Sequence, residues 1–197
     1  MPSDDLRSRT FEDAKNLSPG SQHYRAYVGP PGQYDFMGAT QFRLLCTLGL
    51  RDDHSVLDFG CGSLRAGRLL ISYLRPNRYF GLEPNRWLID DAVAREIGND
   101  MTLLKKPTFR YEDDFTADHF RTSSDYIVAQ SIFSHTGRDL IEISLNSFHR
   151  TLKRDGLAIV TFIQPDQIRA IDDFSGQGWV YRAGPGNLHR TIGGISA

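Results

Sequence analysis

The sequence has little of what would settle its class at a glance. Its two cysteines, Cys46 and Cys61, are too few for a disulfide framework and do not sit at metal-ligand spacing, so they read as free thiols in a reducing compartment. No stretch approaches the ~20 apolar residues of a membrane span. The polar start, Met1 to Asn16, has no apolar signal core, and the expectation is a soluble cytoplasmic protein. Neither sign of charge is in excess: 23 Lys and Arg face 24 Asp and Glu, a formal net charge of −1. No global field therefore draws nucleic acid or anionic lipid to the chain, and no basic patch interleaved with aromatics marks an RNA or DNA surface. Repeats and low-complexity tracts are absent. What remains is a chain of 197 residues, 40% hydrophobic and 24% charged, the ordinary composition of a globular protein with one core.

Texture divides the chain into three parts of a single domain: residues 1–52, an N-terminal arm and lid helix; residues 53–164, an α/β core; and residues 165–197, a short C-terminal segment. The arm is punctuated by Gly and Pro and rich in aromatics, which suits a cover draped on a core; Tyr24, Tyr27, Tyr34 and Phe36 are its candidate lid residues. A helix is expected over Phe36 to Leu48, with Met37, Gln41, Leu44, Leu45 and Leu48 on one face and Gly49 as its C-cap. Beyond it, short β-branched or aromatic runs alternate with longer periodic ones. Strands are expected at Ser55–Phe59, Arg78–Leu82, Thr108–Tyr111, Asp125–Gln130 and Leu157–Ile163, the last apolar enough to be buried on both sides. Helices are expected at Leu64–Leu74, at Asn85–Ile97 closed by Gly98, and after a capping box formed by Thr136 and Asp139. The apolar face of this last helix is Leu140, Ile141, Ser144, Leu145, Phe148 and Leu152. This order implies a doubly wound, mostly parallel sheet with helices on both faces, whose ligands sit beyond the carboxyl ends of the strands.

Residues with chemistry gather at those ends. After the first strand come Asp58, Gly60, Cys61, Gly62 and Ser63: two glycines that allow a ligand to approach bare backbone, and a following helix N-terminus that offers N–H groups to an anion. A dinucleotide fingerprint needs a third glycine where Arg65 stands, and the Asp58 carboxylate suits an ammonium or hydroxyl donor better than a pyrophosphate. After the second strand, Glu83, Pro84 and Asn85 follow; Glu83 has two acceptor oxygens that match a vicinal diol. After the third, Asp113 or Asp114 can accept from an exocyclic amine with Phe115 flanking a base. After the fourth come Gln130 and Ser131, and then His135, the candidate general base. No metal site is expected.

Taken together, VLDFGCGS, YFGLEPN, FRYEDDF, DYIVAQSIFSHT and LKRDGLAIVTF resemble the successive motifs of the class I S-adenosylmethionine-dependent methyltransferases, over about residues 53–164. The resemblance implies a Rossmann-like methyltransferase fold with S-adenosylmethionine as cofactor. It implies the Gly60–Gly62 loop around the methionine part, with Asp58 near the amino end, Glu83 on the ribose, Asp113 or Asp114 at the adenine amine, and Gln130 or Ser131 below the sulfonium. The loop's usual third glycine is Leu64 here, so that corner differs. The family's sheet normally ends in two further strands; the short remainder holds one strand candidate, Gly178–Arg182, so the fold is expected to lack its last strands or to complete its edge with a partner, a homodimer being one form. The expected substrate is a small-molecule methyl acceptor. Two rivals stand beside this reading: an NAD-dependent oxidoreductase on a similar sheet, and a non-catalytic or truncated methyltransferase-like protein.

Overall fold

In the computed structural model, residues 6–162 are described; the strand candidate Gly178–Arg182 lies outside them. Five parallel strands form one sheet: β1 (Val56–Phe59), β2 (Tyr79–Leu82), β3 (Thr108–Arg110), β4 (Ser124–Ala129) and β5 (Leu152–Val160), in the order β3-β2-β1-β4-β5. The chain winds outward from β1 to β3, then returns to β4 on the other side of β1. The strand order therefore reverses between β1 and β4, the place where doubly wound sheets leave a crevice.

Side-chain alternation in the central strands divides the core in two. Val56, Tyr79, Tyr126 and Val128 face one cluster with Leu64, Leu70, Ile71, Leu88 and Ile89. Leu57, Phe59, Ile127 and Ala129 face a second with Phe133 and Phe148. Helices α3 (Tyr34–Thr47), α4 (Gly67–Tyr73) and α5 (Arg86–Ala92) supply the first face. Helix α7 (Arg138–Thr151) supplies the second through Phe148. Strand side chains point alternately to the two faces, and both faces are covered, which is the expected doubly wound arrangement.

Several expectations change in detail. Helix α4 starts at Gly67 rather than Leu64, because Leu64 adopts a left-handed φ of +57° and ends the loop before the helix can begin. The expected helix to Gly98 is α5 followed by a π-turn over Val93–Ile97, with Gly98 at φ +83°. A further short helix, α6 (Asn99–Lys105), escapes the hydrophobic pattern because its Leu103 and Leu104 are 72% and 63% exposed. On α3 the buried stripe is Tyr34, Gly38, Gln41 and Leu45, while Leu44 and Leu48 face outward. The capping box does not form: Gly137 is the N-cap of α7, and the Thr136 hydroxyl donates to the Ile132 carbonyl instead.

β5 is the edge of the described sheet, and Leu157 is 41% exposed, so among the described residues the strand is not covered on both sides. β5 carries a bulge over residues 153–156: Ser124 pairs with Leu152, but Tyr126 already pairs with Leu157. Gly156 fits there because a Cβ would lie 2.9 Å from Leu152 Cδ1 and 3.0 Å from the Asp125 carbonyl oxygen. The N-terminal part is less of a drape than expected. Two short helices, α1 (Phe11–Ala14) and α2 (Tyr24–Tyr27), precede α3, and Tyr24, Leu45 and Leu50 belong to the first core cluster.

Candidate active site

A cleft opens over the carboxyl ends of β1, β2 and β4, at the reversal of strand order, with about 1010 Å³ of free space including its mouth. Strand β1 contributes Asp58 and the turn after it Gly60, Cys61 and Gly62, and the segment after β2 contributes Glu83, Pro84 and Asn85. The segment after β3 supplies Glu112, Asp113 and Phe115, and the end of β4 supplies Gln130, Ser131 and Ile132. Eleven expected site residues thus meet in one crevice. Three do not line it: Ser63, Asp114 and His135.

Parallel pairing explains why Asp58 and Glu83 meet. Asp58 is in register with Gly81 on the adjacent strand, so Glu83 lies two residues further toward the same mouth. Both carboxyls are buried, at 5% and 7% exposure. The Tyr79 hydroxyl donates to Asp58 Oδ2 at 2.8 Å. Burial pushes the Asp58 carboxyl up to about 6, aided by the nearby Glu83 and opposed by the Tyr79 hydrogen bond and the Arg65 charge. Glu83 is already organised: Oε2 accepts from the Gly62 N–H at 3.1 Å, and Oε1 accepts from the Asn85 N–H and amide at 2.9 and 2.8 Å. The Gly60 and Cys61 N–H groups both donate to the Leu82 carbonyl. The loop is therefore stitched to the end of β2.

Gly60 and Gly62 have φ of +73° and +54°, and a Cβ on Gly60 would run into the Ile132 side chain. Leu64, where the resemblance leads one to look for a glycine, takes the left-handed conformation anyway and is fully buried. Burial of the leucine offsets a backbone cost on the order of 1–2 kcal/mol. The helix N-terminus lies further along the chain than expected, because α4 begins at Gly67, and the Gly62 N–H is committed to Glu83. Cys61 is a buried thiol pushed well above its usual range by desolvation, so it stays neutral.

The exits of β3 and β4 separate the remaining expectations. Asp113 faces the cleft, whereas Asp114 is engaged by the His119 Nε2 at 2.8 Å and by the Thr116 N–H. Ser63 is fully buried with its carbonyl accepting from the Tyr34 hydroxyl at 2.5 Å. His135 is outside the lining because the chain turns after Ile132, with the His135 N–H donating to the Ile132 carbonyl. Ser131 stands at the rim with φ +60°, its N–H donating to Thr161 Oγ1 at 2.6 Å and its hydroxyl accepting from the Gln130 amide.

The opposite wall was not foreseen, apart from Tyr27. Tyr27, Val28, Gln41 and Arg65 line it. Of the other lid candidates, Tyr24 and Tyr34 are core residues and Phe36 is 70% exposed, away from the cleft. The wall is seated by contacts far apart in sequence. Arg65 Nη1 donates to the Val28 carbonyl at 3.0 Å, and a Cβ on Gly62 would meet the Val28 side chain at 2.8 Å. Behind it is an ion cluster whose Arg25 and Glu96 are buried and whose Asp35 reaches the surface. Arg25 pairs with Glu96 at 2.5 Å and with Asp35 at 2.9 Å, while Asp35 also pairs with Arg68 at 2.6 Å. The Arg25 guanidinium lies 4.1 Å over Phe11 and 4.5 Å over Tyr34, and the Tyr24 hydroxyl donates to Glu96.

Comparison with known proteins adds to this geometry. A family model described as "Methyltransferase domain" matches residues 57–158. Among solved structures, the PH0226 protein from Pyrococcus horikoshii OT3 aligns with a TM-score of 0.54 at 17% identity, over 79% of this chain and 68% of that one. DesVI from Streptomyces venezuelae aligns at 0.53 and 18%, over 73% and 57%. A DhpI–SAH complex aligns at 0.51 and 19%, over 73% and 67%. The chain thus spans between 57% and 68% of the lengths of these structures, and at such identities the likeness is one of fold. No helix among the described residues is long and apolar enough to cross a membrane.

Proposed function

The chain belongs to the methyltransferase-domain family, whose model matches more than half of it, and from that premise we propose that the cleft binds S-adenosylmethionine and delivers its methyl group to a small-molecule acceptor. The observation that carries the proposal is the meeting of Asp58 and Glu83, buried on adjacent strand ends, with the bare backbone of Gly60 to Gly62 in one crevice. The fit is supported by two atoms in the lining that are shut from solvent and lack a hydrogen-bond partner among the described residues: Glu112 Oε2, an acceptor, and Gln41 Nε2, a donor. A ligand with both amine or hydroxyl donors and an anionic end answers both. The DhpI structure that shares this fold is a complex with SAH.

In this reading Asp58 faces the ammonium and Glu83 the ribose hydroxyls. Glu83 accepts from the Gly62 N–H and from the Asn85 N–H and amide, and the ribose hydroxyls are received as the Asn85 side-chain amide gives way. Asp113, with Glu112, faces the adenine amine, Phe115 flanks the base, and Gln130 and Ser131 border the reacting end. When bound, the cofactor supplies an activated methyl group on a sulfonium. The protein holds nucleophile and methyl carbon in line and excludes water, a positioning effect that reaches about 7–11 kcal/mol in favourable cases. His135 has no part in this scheme, since the residues before it turn it away from the lining. A small acceptor is favoured over nucleic acid by the near-zero net charge.

Calorimetric titration with S-adenosylhomocysteine and with NADH tests the reading. Binding of the first and not the second is expected; tight NADH binding alone overturns it. Glu83→Ala is expected to weaken S-adenosylhomocysteine by roughly 1.5–3 kcal/mol, the range for hydrogen bonds to a charged group. Unchanged affinity removes Glu83 from the ribose role. Incubation of the loaded protein with a panel of small hydroxyl, amine and thiol acceptors, read as S-adenosylhomocysteine formed, tests transfer itself.

A further inference from the structure

The cleft is polarised in a way that the expected residues do not account for. Its strand-end side is a row of acceptors: Asp58, Glu83, Glu112 and Asp113. Its N-terminal side holds an amide, Gln41, and a guanidinium, Arg65. Gln41 stands on the buried stripe of α3 at 9% exposure, and its Nε2 is shut from solvent with no partner among the described residues. An unpaired buried donor costs about 1–3 kcal/mol, and such a group in the wall of a cleft calls for an occupant that supplies the missing acceptor.

The position of Gln41 is held tightly. Gly38, three residues earlier on the same helix face, packs so closely on the loop that a Cβ there would run into the Arg65 carbonyl, with Arg65 Cγ at 3.6 Å. α3 and the Arg65 turn are thus one rigid corner. Arg65 also acts on Asp58, whose carboxyl its charge favours in ionised form. A positive and a negative group therefore border the same end of the crevice. Such an end is complementary to a zwitterion, with the ammonium toward Asp58 and the carboxylate toward Arg65 and the Gln41 amide.

Resting on the cofactor reading above, we infer that Gln41 is a specificity residue: its amide donates to the carboxylate at the amino-acid end of the bound nucleoside, beside the Arg65 charge. Gln41 thereby separates nucleosides that carry an amino-acid tail from those that lack one. The tail, and not the adenine or ribose, is what this wall reads.

The test compares S-adenosylhomocysteine with 5′-methylthioadenosine, which keeps the nucleoside and the sulfur but has no amino acid. Dissociation constants are measured by calorimetry for the wild type, Gln41→Ala and the near-isosteric Gln41→Met, with unliganded melting curves showing that each variant is folded. Both variants are expected to weaken S-adenosylhomocysteine about tenfold, a typical loss for one hydrogen bond to a charged group, and to leave methylthioadenosine within twofold. Gln41→Glu, which sets a carboxylate against the tail, is expected to cost more than either. Equal changes for both nucleosides would show that Gln41 only shapes the wall, and would overturn the inference, as would unchanged S-adenosylhomocysteine affinity in Gln41→Met. If the wild type binds neither nucleoside, the cofactor reading itself fails; if it binds both and only Gln41 is silent, the cofactor reading stands and this inference falls.

Discussion

The two walls of the cleft are built by different means. The strand-end wall is made largely of main chain: parallel registry carries Asp58 and Glu83 to the same mouth, the N–H groups of Gly60 and Cys61 tie the loop to β2, and the Gly62 N–H ties it to the Glu83 carboxylate. The N-terminal wall is made of side chains. Val28 is held by Arg65, and behind it the Arg25, Glu96, Asp35 and Arg68 cluster fastens α2, the π-turn, α3 and α4 together. Local backbone geometry maintains the first. The second depends on desolvated charges that stabilise only while every partner is present. The walls should therefore fail differently.

The largest difference is expected from Arg25→Ala, which leaves Glu96 buried at 9% side-chain exposure without its main counter-charge. Breaking such a pair costs on the order of 3–5 kcal/mol, readable by urea unfolding, and S-adenosylhomocysteine affinity should fall with it as Tyr27 and Val28 loosen. A loss below about 1 kcal/mol, the level of an exposed pair, would mean that the wall is held by something else.

The strand-end wall should respond in the opposite sense. Asp58 has its carboxyl raised from 3.8 to about 6 in the fold. A raised acid favours the native state while protonated, so this part of the stability is full below pH 3.8 and is lost as pH climbs through 6. Two units correspond to roughly 3 kcal/mol. Asp58→Asn should accordingly raise stability by that order at pH 8 and by nothing at pH 3.5, while weakening S-adenosylhomocysteine. Equal stability of variant and wild type at pH 8 would show that the burial cost is absent.

Acid should also set the walls against each other. His23, fully buried in the N-terminal segment, has its basicity lowered, first by desolvation and then by the Arg95 and Arg25 charges, against the pull of the Arg9 carbonyl and Asp91. Its stabilising share is present above the unfolded value of 6.5 and is lost as pH falls below it. Hydrogen exchange between pH 7 and 5 should show α2 amides opening as the β1 end tightens; His23→Gln should abolish the first effect only. The smallest expected effect is that of Arg138→Ala: its partner Glu142 is one turn away on the exposed face of α7, and neither wall should register the change in melting temperature or affinity.

The contrast also explains what was readable in the residues. The runs VLDF, YFGL and DYIVA become β1, β2 and part of β4 within a residue or two, because β-branched and aromatic runs bounded by turn residues have few other uses. The acids and glycines after them line the cleft, since a parallel sheet puts all its strand exits on one side. Reading failed where tertiary packing overrode a local pattern. Leu44 and Leu48 fit a helical stripe, yet α3 buries Tyr34, Gly38 and Gln41 because Gly38 permits close contact with the Arg65 turn. Asp113 and Asp114 were indistinguishable until His119 claimed the second.

The order and type of the elements, the parallel sheet, and the ring of acids and glycines around its mouth follow from short-range periodicity and from motifs of a few residues. It took the packed fold to bring Gln41 and Arg65 opposite those acids, to strap Glu83 to Gly62, and to carry Arg25 to Glu96 across 71 positions of chain. Such pairings have no local signature. They come from which surfaces bury together, and that depends on the whole packed core rather than on any window of residues.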